Sequence, residues 1–125
     1  MYSAVVSDHF HHPRRVGPLV GGTHLGTAGV VGEGPYVVLW LRVVDSWVES
    51  AAYRTYGCPA AIACASVLCE LVEGRSVDWV SGVEASALVC ALDGLPWGKE
   101  HCPDLAIGAL RVALGGGPGE CSGKG

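Results

Sequence analysis

The clearest pattern in the chain is a strict alternation between positions 36 and 44. Val37, Leu39, Leu41 and Val43 fall on one face; Tyr36, Val38, Trp40, Arg42 and Val44 fall on the other. The aliphatic face predicts a strand covered by helices, and the mixed face, with Trp40 and Arg42, lies nearer solvent. Asp45-Ser46 predicts a tight turn into a second strand over 47–56, on which Ala51, Tyr53 and Thr55 share a face. A shorter first strand is expected over 27–31, closed by the turn signal Gly32-Glu33-Gly34-Pro35. The glycine-rich stretch 20–26 reads as a connection without a phosphate-loop signature.

From Pro59 the period becomes helical. Ala61, Ile62, Ala65, Leu68, Cys69 and Val72 form one stripe, and Gly74 supplies the stop. Shorter helices follow over 77–80, capped by Ser76, and over 83–92, ended by Asp93-Gly94; a last one is expected over 103–114. Near the start, 2–12 reads as a helix ended by Pro13, with Val5, Val6, His9 and Phe10 on one face. Together these predict an α+β domain: a small three-stranded antiparallel sheet with helices packed on one face, in the order α-β-β-β-α-α-α-α. The domain spans 1–114, and a glycine-rich tail over 115–125 is expected to be disordered. Leu39, Leu41 and Val43 are expected to bury against Ile62, Leu68 and Leu110.

Composition narrows the function. The 125 residues, half of them hydrophobic and 16% charged, suit one domain with an ample core. A net charge of −4 supplies no basic footprint, so nucleic acid is excluded as a partner. No apolar run reaches membrane-spanning length and the start lacks a basic-then-apolar signal, so the expectation is no membrane and a cytoplasmic location. In that compartment the six cysteines are expected to be reduced. Cys64, Cys69 and Cys90 sit in apolar helical runs and read as small core residues; Cys121, in the tail, reads as incidental.

Two cysteines stand apart. In Thr55-Tyr56-Gly57-Cys58-Pro59 the glycine permits a sharp change of direction and the proline suits a first helical position, making Cys58 a helix N-cap. A thiolate there is stabilised by free N–H groups and the helix dipole, although this geometry alone leaves reactive and structural roles equally open. His101-Cys102-Pro103 repeats the arrangement, with Cys102 as a second N-cap thiol and His101 as a neighbouring ligand or base. Brought together, these residues would suit a metal or sulfur-handling site. His9 and His12 also share a helical face, a spacing open to metal, but a solvated helix end is the simpler reading.

Three separated segments resemble the IscU/NifU N-terminal family of iron–sulfur cluster scaffolds: the opening from Tyr2-Ser3 through Asp8-His9-Phe10 to Pro13-Arg14 and Val16-Gly17; Thr55-Tyr56-Gly57-Cys58 with Ala61-Ile62-Ala63; and Leu95-Pro96-Trp97-Gly98-Lys99-Glu100-His101-Cys102. The resemblance covers nearly everything from Tyr2 to Leu114. It implies a cluster-assembly scaffold, a carrier rather than an enzyme. The implied metal ligands are Cys58, His101 and Cys102, with Cys102 the acceptor of persulfide sulfur. Leu95, Pro96 and Lys99 fall in the family's chaperone-recognition segment. The implied cargo is Fe2+, Zn2+ or a labile [2Fe–2S] cluster; the implied partners are a cysteine desulfurase, an Hsp70-type chaperone and apo iron–sulfur acceptor proteins. The sequence departs where the family has its first cysteine and its aspartate: Pro35 and Val37 stand there. Three ligands remain where a cluster takes four. This leaves two further readings beside the scaffold, a persulfide carrier with sulfurtransferase-like activity and a regulatory or binding module of the same fold that holds no cluster.

Overall fold

A computed structural model describes residues 2–30, 32–95, 98–99 and 101–115. Their order is α1 (Ala4–His11), β1 (His24–Gly29), β2 (Tyr36–Val44), β3 (Trp47–Tyr56), α2 (Pro59–Val72), α3 (Val77–Ser81), α4 (Ala85–Ala91) and α5 (His101–Ala113). The three strands form one antiparallel sheet in the order β1-β2-β3. The α+β architecture predicted from the pattern is the one observed.

β2 follows its alternation. Val37, Leu39 and Leu41 are at most 1% exposed, while Trp40 is half-buried and Arg42 exposed. Val43 escapes full burial because the β2–β3 register shifts between Arg42 and Val43. Asp45 and Ser46 both adopt left-handed backbone, φ 52° and 66°, as a two-residue hairpin turn of the primed type requires.

β1 differs from its expected span. It begins at His24, inside the stretch read as a connection, and ends at Gly29, whose φ is +80°. The reason is Gly26. A Cβ there would collide with the Ala109 carbonyl oxygen and the Ala113 nitrogen of α5. The glycine lets a helix backbone lie directly on the strand, so it belongs to the sheet rather than to a loop.

α2 and α5 cover the inner face of the sheet. Ten of the 14 residues of α2 are buried, far more than one stripe, because α1, β3 and α5 surround it. Leu39, Leu41, Leu68 and Leu110 share the core, as expected, but Ile62 is only half-buried. Ser3 caps α1 by accepting the Val6 N–H at 3.1 Å, and Val6 and His9 face inward. His9 is thus a core residue: Nδ1 lies 2.8 Å from Ser66 Oγ and Nε2 lies 3.6 Å from Glu70 Oε1. His11 instead bonds the Ser7 carbonyl on the exposed side. The segment after α1 runs along β3, with the Tyr53 N–H donating to the Arg15 carbonyl at 2.9 Å and the Gly17 N–H to the Tyr53 carbonyl at 2.7 Å.

α4 is shorter than its expected span and buries only Leu88, which leaves Cys90 exposed instead of in the core. α5 opens at His101, two residues before the expected Pro103. Proline is tolerated throughout a first turn, where N–H groups have no intrahelical partner. Most of the expected disordered tail, 116–125, lies outside the described residues.

Candidate functional site

β3 ends at Tyr56, Gly57 turns the chain, and Cys58 caps α2 with extended backbone (φ −78°, ψ 172°) ahead of Pro59. Gly57 must be glycine: a Cβ would stand 2.9 Å from Ala61 Cβ and 3.9 Å from Pro35 Cβ. The second contact places Pro35 beside the Gly57-Cys58 turn. Cys102, expected as an N-cap, lies within the first turn of α5 instead, and its N–H reaches the Lys99 carbonyl at 3.1 Å.

The fold brings the two cysteines together across 44 residues of sequence: Cys58 Sγ lies 3.7 Å from Cys102 Sγ. His101 Nε2 lies 3.5 Å from Cys102 Sγ. Two sulfurs bound to one tetrahedral ion at about 2.3 Å would be about 3.8 Å apart, and a sulfur and an imidazole nitrogen about 3.5 Å apart. Both pairs therefore have ligand spacing. As a set they are incomplete: among the described residues no three His, Cys, Asp or Glu side chains are disposed to hold a metal ion.

The thiols are unlike. Cys102 is 1% exposed, and burial together with the Cys58 sulfur pushes its pKa up to about 12. Cys58 is half-buried. Burial opposes its ionisation, but the Ala61 and Ala60 N–H groups, the Cys102 thiol and the Lys99 ammonium outweigh it, and its pKa falls below the ordinary thiol value. Those amides point at the sulfur without forming a capping hydrogen bond of full geometry. Lys99 responds in kind: the Cys58 charge raises its pKa. Elsewhere burial pushes the Cys64 and Cys69 thiols up, which leaves them inert core residues, as expected.

Leu95 packs half-buried against the core, and Lys99 stands beside Cys58; Pro96, the third residue of the expected partner-binding segment, lies outside the described residues. Sequence reasoning overlooked a tyrosine pair. Tyr36 and Tyr56 stack 6.3 Å apart at 14° and, with Gly32 and Gly34, line a hollow of about 390 Å³ at the strand ends that lead to Gly57. The two-residue turn alone would set Tyr36 opposite Thr55; the register shift between Arg42 and Val43, which the sequence did not signal, brings Tyr56 opposite Tyr36 instead. A roomier hollow of about 610 Å³, lined by Trp79, Val83, Ala87 and Cys90, contains none of the site residues.

Residues 1–118 match the sequence profile described as the NifU-like N terminal domain. The chain is 38% identical over 114 residues to the iron-sulfur cluster assembly scaffold protein IscU 1 of Archaeoglobus fulgidus, covering 91% of this chain and 74% of that protein. It is 35% identical over 117 residues to the IscU scaffold protein of Escherichia coli K12, covering 90% and 91%. The crystal structure of a nitrogen-fixing NifU-like protein (N-terminal) from Brucella abortus superposes with a TM-score of 0.70 over 95% of each chain, at 17% identity, a likeness of fold alone.

Proposed function

The chain belongs to the NifU-like N terminal domain family, and from that membership we propose that it is an iron–sulfur cluster assembly scaffold in which Cys58, His101 and Cys102 receive sulfur and iron. The observation that carries the reading is the 3.7 Å approach of two sulfurs from the starts of α2 and α5, 44 residues apart in sequence. Two thiolates and an imidazole suit Fe2+ and Zn2+ and supply part of the ligand set of a [2Fe–2S] cluster, which is cargo here.

Sulfur delivery follows from the unlike thiols. A cysteine desulfurase presents a persulfide; the Cys58 thiolate attacks its outer sulfur, an S–S bond forms on Cys58, and the desulfurase cysteine leaves as a thiolate. Cys102, the acceptor inferred from sequence, then takes the sulfur by the same exchange, its proton passing to the Cys58 sulfur it frees. No net electrons move. Lys99 holds the Cys58 charge before attack. This order gives the first step to the more exposed, more acidic thiol and the second to the buried one. Leu95, Pro96 and Lys99 are the docking segment for an Hsp70-type chaperone in this reading, apo iron–sulfur proteins are the recipients, and the cytoplasm is the compartment that keeps the thiols reduced. Among the described residues no helix is long and apolar enough to cross a membrane.

A second reading, persulfide carriage without a cluster, is favoured by one observation: the described residues hold no three-ligand set. Anaerobic reconstitution with Fe2+, cysteine and a cysteine desulfurase separates the two. The scaffold yields a visible chromophore with bound iron and sulfide, Fe2+ and excess cysteine supplying the two electrons that reduce each sulfane sulfur to sulfide, and loses it in Cys58→Ser and Cys102→Ser; the carrier yields a persulfide mass increment without iron. A chain that gains neither overturns both.

A further inference from the structure

Two thiols in contact can exchange electrons as well as hold cargo. We propose that Cys58 and Cys102 form a redox-active dithiol that reduces the sulfane sulfur it receives to sulfide, closing into a Cys58–Cys102 disulfide as it does so. The inference rests on the sulfur-acceptor reading above and adds to it a source of electrons and a released product, hydrosulfide. A reducing protein dithiol then reopens the pair.

Cys58 Sγ and Cys102 Sγ lie 3.7 Å apart, and both are free thiols. A disulfide bond is about 2.05 Å long, so closure takes about 1.7 Å of sulfur movement shared between two side chains. The two residues open α2 and α5, helices that pack against each other, so no segment has to unfold to bring the sulfurs together. Cys58 Sγ is not tied down by a capping bond to its own helix. A cluster takes four ligands, whereas the described residues offer no three-ligand set, and Pro35 beside the Gly57-Cys58 turn brings no donor atom. Two thiols in contact are a short set for a cluster and a full set for a two-electron exchange.

The delivered sulfur reaches Cys102 as a persulfide, with Cys58 back as a thiol. Two attacks are then open to Cys58. At the outer sulfur it merely takes the sulfur back. At Cys102 Sγ, the atom with which it is already in contact, it forms the S–S bond of the disulfide, and the bond from Cys102 Sγ to the outer sulfur breaks. The outer sulfur leaves with the electron pair of that bond and takes the Cys58 proton, departing as hydrosulfide. Counted from the two free thiols, the pair gives up two electrons and the sulfane sulfur gains them. Hydrogen sulfide is a stronger acid than a cysteine thiol, which makes hydrosulfide the better leaving group. Exposure sets how the pair is reset. Cys102 is 1% exposed and Cys58 half-buried, so an incoming protein dithiol attacks Cys58 Sγ and frees the buried Cys102 thiolate. Its second thiol then releases Cys58, and the partner leaves as a disulfide, having supplied the two electrons.

The test uses the full chain without iron. The reduced chain is mixed anaerobically with a cysteine desulfurase that carries its persulfide and has been freed of cysteine, with the desulfurase alone as the blank. The wild type should pass through a persulfide and end with sulfide and an intramolecular Cys58–Cys102 disulfide in equal amounts, read by bimane trapping of sulfide and by peptide mass spectrometry. Cys102→Ser should keep its persulfide on Cys58 and lose the sulfide release, whereas Cys90→Ser, which alters the exposed thiol on α4 beside the Trp79 hollow, should behave as the wild type. A reduced thioredoxin-type dithiol added afterwards should reopen the disulfide; a disulfide that resists it overturns the reset. A wild type that keeps its persulfide and yields neither sulfide nor disulfide overturns the inference and leaves the acceptor reading standing. A wild type that gains no persulfide, sulfide or disulfide overturns both. The wild-type stoichiometry decides the matter even where Cys102→Ser folds poorly.

Discussion

Gly26→Ala offers the sharpest test of how the site is held. The added methyl would collide with the Ala109 carbonyl oxygen and the Ala113 nitrogen. These are backbone atoms of α5, so no side chain can rotate away; the helix or the strand must move. Overpacking a core costs about 1–3 kcal/mol, and a backbone obstacle puts this case at about 3 kcal/mol. With a urea slope of about 2 kcal/mol per M, the unfolding midpoint should fall by about 1.5 M. Gly108→Ala is the control on the facing element. Its Cβ would meet only Ala28 Cβ, at 3.4 Å. Replacing a helix-interior glycine also gains up to about 1 kcal/mol of helix propensity, so this variant should be neutral or more stable. Urea melts followed by circular dichroism measure both. Zn2+ affinity measured on the same samples reports whether a displaced α5 carries Cys102 away from Cys58. If Gly26→Ala melted within about 0.3 M of the parent, the direct seating of α5 on β1 would be wrong, and with it the account of what aims Cys102.

The remaining predictions concern charge and ligands. His9 has a pKa below its ordinary 6.5, chiefly from burial and then from Arg14, against the pull of Glu70 and Asp8. The folded state therefore binds fewer protons than the unfolded state, and stability present above pH 6.5 should decline as pH falls below it. Urea midpoints at pH 7.5 and 5.5 should differ in wild type, and less so in His9→Gln; equal differences would clear His9 of the effect. Alkylation by iodoacetamide should reach Cys58 at lower pH in the folded chain than in urea, and Lys99→Met should move that profile upward; Cys102 should stay unmodified until unfolding, by peptide mass spectrometry. Pro35→Cys should add Co2+ charge-transfer intensity over the parent chain, because residue 35 packs beside the Gly57-Cys58 turn; no gain would mean that residue 35 does not face the ion.

The sequence showed the sheet well where side chains alternate. The Val37-Leu39-Leu41 face and the Asp45-Ser46 turn place β2 and β3 at the bounds observed, and Pro59 with Gly74 brackets α2. β1 starts earlier than the pattern predicts because a glycine that admits a helix backbone looks, in one dimension, like a glycine in a loop. Helical periodicity assigns Ile62 and Cys90 to the core, where the structure leaves one half-buried and the other exposed. Which neighbours flank a helix is a tertiary fact, and both lie on sides that no element covers fully. At the site, the Cys-Pro pairs marked Cys58 and Cys102 as partners, and the two sulfurs lie in contact. The difference between them was not legible: it arises from Lys99, two amides and unequal burial, none of which a spacing encodes.

The contact between Cys58 and Cys102 has one more consequence. Anything that joins the two sulfurs ties together residues 44 positions apart. Closing a loop of that size in the unfolded chain is worth about 4 kcal/mol in the chain-entropy treatment of crosslinks, a sizeable fraction of the 5–15 kcal/mol that holds a typical domain folded. On the proposed reading, cargo seated between these sulfurs would also be a clasp on the whole fold, and handing it to a recipient would undo the clasp. A loaded chain would then resist global unfolding more than an emptied one.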